Sequence, residues 1–149
     1  MIYATSTSNQ NVHALLEPLG TLSVEFDVTV LQEFTDWGTA SNVLRIGDSD
    51  DDWTPSFWIN TEFASLKVTM GDFVYESGLS SIDSRKRYHL KMQVQDGAVS
   101  FYLNSELMKQ GKTGHTTHRK HVSVWVSDPW NDAVDAKVSN LKIDGGTGN

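Results

Sequence analysis

Residues 88–103 read YHLKMQVQDGAVSFYL, and this stretch decides the fold. Tyr88, Leu90, Met92 and Val94 occupy every second position, and after a short gap so do Val99, Phe101 and Leu103. A period of two marks a strand with one buried face. Between the runs stands Asp96–Gly97, where both residues tolerate the positive φ that a primed two-residue hairpin turn needs. Folding the segment about that turn sets Gln95 opposite Ala98, Val94 opposite Val99, Met92 opposite Phe101 and Leu90 opposite Leu103. Every inward pair is then apolar. The outward pairs are Gln93 with Ser100, Lys91 with Tyr102 and His89 with Asn104. A slip of one residue would bury these polar groups, so the register is well specified.

The same alternation recurs along the chain. Leu22, Val24, Phe26, Val28 and Val30 alternate with polar residues, as do Val122, Val124 and Val126. Shorter strands are expected at Val43–Ile46, Ser56–Asn60, Ser65–Met70, Phe73–Glu76, Lys137–Ile143 and Asn11–Leu16. Helix is expected to be minor. Many short strands with turn residues between them indicate an antiparallel sandwich or barrel. The 149 residues match one domain, 1–149, with a loose tail at about 145–149.

Composition narrows the partners. Twelve basic against nineteen acidic residues leave a net charge of −7. That charge repels phosphate backbones and anionic lipid surfaces, so neither nucleic acid nor membrane is an expected partner. No cysteine is present, which removes disulfides, thiol nucleophiles and cysteine-held metals. Residues 1–10 lack the basic and apolar regions of a signal peptide. No apolar run approaches the ~20 residues of a membrane helix.

Residues Val122–Ile143 read VSVWVSDPWNDAVDAKVSNLKI. They resemble the C-terminal strands of the concanavalin A-like, laminin-G-like jelly-roll superfamily. There one strand ends in a Ser-Asp-Pro-Trp type of turn, and the last carries a pattern like I-x-N-L. Val99–Met108, VSFYLNSELM, is similar to a strand–Asn turn–Leu element of the same superfamily, and Leu16–Val28 to its opening. The resemblance implies an all-β, antiparallel two-sheet jelly-roll sandwich. Members bind sugars, bind proteins or hydrolyse glycans, and fold alone does not choose among these.

Candidate sites follow from residue chemistry. Glu25-Phe26-Asp27 supplies two carboxylates of the Glu-x-Asp-x-(x)-Glu run of some jelly-roll glycosidases, but Thr29, Val30 and Leu31 follow where the third would stand. The plainer reading is the solvent face of a strand. Asp48, Asp50 and Asp52 alternate like the start of a calcium loop. Trp53 and Ile59 stand where an EF-hand needs Gly and Glu, so calcium here competes with a plain acidic turn. His115, His118 and His121 lie in a loop-like stretch with nothing to hold the rings on one face, which argues against zinc.

The aromatics point to sugars. Trp37, Trp53 and Trp130 fall in expected loops, each among groups that can hydrogen-bond sugar hydroxyls. An indole stacks on the apolar face of a sugar while carboxylates and amides take its hydroxyls. Trp53, Asp128, Trp130 and Asn131 are therefore candidates for one pocket, although a loop tryptophan also caps a core. Tyr102 and Trp125 point away from the core by strand parity and make a second candidate, on a sheet face with His89, Lys91 and Gln93. Such a face equally fits packing against another subunit.

The expected function is a carbohydrate-binding lectin domain without catalysis, taking glycans or glycoproteins. A laminin-G-like protein-interaction or adhesion module is the alternative, and a glycan hydrolase a lesser one. A secreted, extracellular setting is expected. So is a homo-oligomer, because a single shallow sugar site is weak and gains from avidity.

Overall fold

The computed structural model describes residues 4–5, 10–15, 21–34, 40–47, 55–113, 122–126 and 136–145. They form twelve strands and, among the described residues, no helix. The strands are β1 (Ala4–Thr5), β2 (Gln10–Leu15), β3 (Thr21–Val30), β4 (Ala40–Gly47), β5 (Ser56–Asn60) and β6 (Ser65–Met70). They continue with β7 (Phe73–Glu76), β8 (Arg87–Gln95), β9 (Ala98–Leu103), β10 (Glu106–Lys112), β11 (Val122–Val126) and β12 (Ala136–Gly145).

Two six-stranded sheets result. The first runs β1-β12-β3-β8-β9-β10 and the second β2-β11-β4-β5-β6-β7, with every neighbouring pair antiparallel. The chain crosses between sheets after β1, β2, β3, β7, β10 and β11, which is the winding of a jelly-roll sandwich.

Alternation decides which face each residue takes. In β3, Leu22, Val24, Phe26, Val28 and Val30 are buried. In β8 the buried set is Tyr88, Leu90, Met92 and Val94. They meet Phe57, Ile59, Leu66, Val68 and Met70 of the second sheet in one core cluster. Phe26 and Phe57 pack edge to face across the sheets, with centroids 4.9 Å apart at 84°, and Tyr75 of β7 lies 5.1 Å from Phe101 of β9. Such pairs add about 0.5–1.5 kcal/mol beyond the area they bury.

The β8–β9 hairpin has the expected register, from Gln95 opposite Ala98 to Leu90 opposite Leu103. Asp96 and Gly97 take φ of 49° and 82°, as a primed turn requires. A second tight turn follows at Asn104 and Ser105, with φ of 50° and 68°, and sends the chain into β10. Strand β12 carries a bulge. Ser139 pairs with Asp27 and Lys142 with Glu25, so three steps on β12 span two on β3. Asn140 lies at this bulge with φ of 55°, a left-handed conformation that Asn adopts more readily than most residues.

Candidate functional site

The outward face of the first sheet carries the site. Parity sends Glu25 and Asp27 of β3 outward because Val24, Phe26 and Val28 face the core. On β8 it sends His89, Lys91 and Gln93 outward, and on β9 Ser100 and Tyr102. The pairing register then fixes their neighbours. Asp27 stands directly opposite His89, and Glu25 opposite Lys91. Lys91 in turn stands opposite Tyr102.

His89 bridges the two carboxylates. Its Nδ1 lies 2.7 Å from Asp27 Oδ1, and its Nε2 lies 2.9 Å from Glu25 Oε2. A neutral imidazole carries one N–H, and an ionised carboxylate carries none. Two simultaneous hydrogen bonds therefore require two hydrogens on the ring, or one on the ring and one on a carboxyl. The trio therefore needs one proton more than a neutral ring and two carboxylates carry.

Asp27 is fixed from the other side by the bulge. Asn140 Nδ2 donates to Asp27 Oδ2 at 2.6 Å. Burial raises the pKa of Asp27, but the hydrogen bonds from Asn140 and His89 and the charges of His89 and Arg87 outweigh it, leaving the carboxyl below its ordinary value. Asp27 is thus the ionised anchor. The His89 backbone is pinned as well: its N–H donates to Asn104 Oδ1 at 2.9 Å, and its carbonyl accepts from the Asn104 N–H at 2.8 Å.

Beside this trio lies a depression of about 330 Å³, lined by Glu25, His89, Lys91, Gln93, Tyr102 and Ser105. It presents one phenol, one carboxylate, one ammonium, one amide and one aliphatic hydroxyl around an imidazole. The two ring nitrogens of His89 face different carboxylates, so the three groups do not converge on a common point. Among the described residues no cluster of three or more such groups could hold a metal ion.

The structure separates two residues that parity alone had placed together. Tyr102 lines the depression on β9 of the first sheet. Trp125 belongs to β11 of the second sheet, paired with Arg45. Alternation tells inward from outward but does not say which sheet a strand joins, so the expected shared face of Tyr102 and Trp125 is corrected. Trp37, Trp53, Asp128, Trp130 and Asn131 lie outside the described residues. So do Asp48, Asp50 and Asp52 of the expected calcium loop and the histidines at 115, 118 and 121.

The Glu25–Asp27 pair, read as a solvated strand face, is instead engaged by a neighbouring strand. No third carboxylate follows along β3, and the group that meets Glu25 and Asp27 is a histidine on the adjacent strand. Strands β3 and β8 are far apart in sequence, and no local turn ties their register. The usable signal was His89 at an outward position among strands rich in polar outward groups.

No family model matches the chain, and no curated protein is similar to it in sequence. Solved structures do resemble it in fold. An alginate lyase of polysaccharide lyase family 7 superposes with a TM-score of 0.63 at 13% identity, over 95% of this chain and 77% of that one. Sheep galectin-11, solved with glycerol, gives 0.57 at 10% identity, over 91% of this chain and 98% of that one. The sialidase of Trypanosoma rangeli gives 0.61 at 17% identity over 83% of this chain, which spans only 20% of the sialidase. The fold is an antiparallel two-sheet jelly-roll sandwich. The expectation of a domain without catalysis is overturned, because alginate lyases and a sialidase are among the proteins similar to it in fold.

Proposed function

We propose that the chain binds a glycan on the outward face of the first sheet, over the depression beside His89. One observation carries this reading. An aromatic ring, Tyr102, shares a 330 Å³ depression with pre-positioned polar groups on rigid strands. A sugar ring would stack on Tyr102, while Glu25, Gln93 and Ser105 take its hydroxyls. Strand-borne groups lose little freedom when a ligand arrives, which favours affinity. The lyase, galectin and sialidase of similar fold lend support through what their names say they act on or bind.

The Glu25–His89 contact favours a second reading, in which the bound glycan is also chemically changed. A group that gives or takes a proton must reach the reacting atom itself, and Glu25 and His89, 2.9 Å from each other, both line the depression where that atom would lie. Asp27, anchored by Asn140, would orient the imidazole. An extracellular setting belongs to the same proposal.

The test has two arms. Wild type and Tyr102→Ala are titrated calorimetrically with oligosaccharides drawn from a glycan panel. Loss of binding in the variant, with an unchanged melting temperature, supports the site. Equal binding by both refutes it. Separately, wild type and His89→Gln are incubated with polysaccharides and assayed for new reducing ends. Turnover by wild type alone supports the second reading, and equal or absent turnover rejects it.

A further inference from the structure

Lys91 sets up a charge that its own sheet leaves unspent. Its cross-strand neighbour on β3 is Glu25, the residue that would ordinarily pair with it. The Glu25 carboxylate is directed instead to His89 Nε2. On the other side Lys91 faces Tyr102, which offers no charge. Among the described residues Lys91 makes no ion pair, and it lines the depression, half-buried. Asp27 is already committed to His89 and Asn140. Arg87 and Lys142 stand on the same face, opposite Thr29 and Glu25. In a chain of net charge −7, this face sets cations beside its two clamped carboxylates, Glu25 and Asp27.

We infer that the glycan taken by this face carries an anionic group, a carboxylate or a sulfate ester, and that Lys91 is the residue that reads it. The inference rests on the glycan-binding reading above. A half-buried ammonium beside an aromatic floor gains a charge-assisted hydrogen bond from such a group. A neutral sugar offers only hydroxyls, and the ammonium then gives up part of its hydration for a weaker partner.

The test uses matched probes: tetragalacturonate and its methyl ester, and a sulfated galactan tetrasaccharide and its desulfated counterpart. Wild type, Lys91→Gln and Lys91→Arg are titrated with each. Wild type should prefer at least one charged probe over its neutral match by about tenfold or more, with the preference shrinking as salt rises. Lys91→Gln should remove that preference, and Lys91→Arg should retain most of it. Preference for the uronate pair identifies a carboxylate, and preference for the sulfated pair a sulfate ester. If wild type binds charged and neutral members alike, or if Lys91→Gln keeps the preference, the inference falls while the glycan-binding reading stands. If no probe and no member of the wider glycan panel binds, that reading falls and takes the inference with it.

Discussion

Replacing Asp27 by Asn probes the anchor of the site with almost no change of shape. Asp27 is 9% exposed and accepts two hydrogen bonds, from His89 at 2.7 Å and from Asn140 at 2.6 Å. An Asn side chain keeps one acceptor and turns the other into a donor. Asn140 keeps an acceptor, and His89 meets an N–H, which it can accept only as the tautomer with Nδ1 bare and its hydrogen on Nε2, towards Glu25. Hydrogen bonds to a charged group are worth about 1.5–3 kcal/mol each. Both contacts become neutral and weaker, and the ring is held to one tautomer. The expected cost at pH 7 is about 2 kcal/mol, read from urea denaturation midpoints at a common slope. The pH dependence is the sharper test. The folded carboxyl lies below its ordinary value, so its contribution is complete above the unfolded value of about 4. That contribution disappears as pH falls through the lower folded value. The gap between wild type and variant should therefore narrow at pH 3 and close further below it. A gap that stays constant from pH 7 down would show that the carboxylate charge does not hold the cluster, and a gap under about 0.5 kcal/mol at pH 7 would show that the two hydrogen bonds contribute little.

Two further outcomes test the frame. Phe101→Ala should cost about 3–5 kcal/mol in chemical denaturation, because the ring is fully buried and lies against Tyr75; under about 1 kcal/mol would contradict the β8–β9 packing. Gly97→Ala should cost about 1–2 kcal/mol, since φ is 82° and the added Cβ would sit 3.2 Å from the Thr113 carbonyl oxygen; no change in thermal midpoint would contradict the primed turn.

Local signals were legible in the sequence, and long-range ones were not. The β8–β9 register followed from Asp96–Gly97 and alternation, since the turn ties one strand to the next. Strand β10 lacks that signal: at the sheet edge nearly all its residues are exposed, and no face is apolar. The site depends on pairing β3 with β8 and β12, which join segments more than fifty residues apart. Glu25 and Asp27 could be seen as a pair of acids, but their partner could not be seen. The tryptophans of the expected loops are legible because residue type is visible without topology.

The bulge on β12 has a consequence for how this face came to be separable from the fold. Residues 136–143 read AKVSNLKI. Ala136 and Val138 face inward, Leu141 is buried too, and Ile143 packs against the core, so the alternation skips one position at Asn140. Removing that one residue leaves AKVSLKI, an unbroken period of two that still pairs Ser139 with Asp27 and Lys142 with Glu25. The strand would close over its gap with its core face intact. What would vanish is the amide on Asp27, and with it one of the two clamps on the carboxylate that holds His89. A single-codon deletion should therefore keep the fold while removing this clamp and the stability its hydrogen bond contributes, and a single-codon insertion into a regular strand is enough to add the clamp.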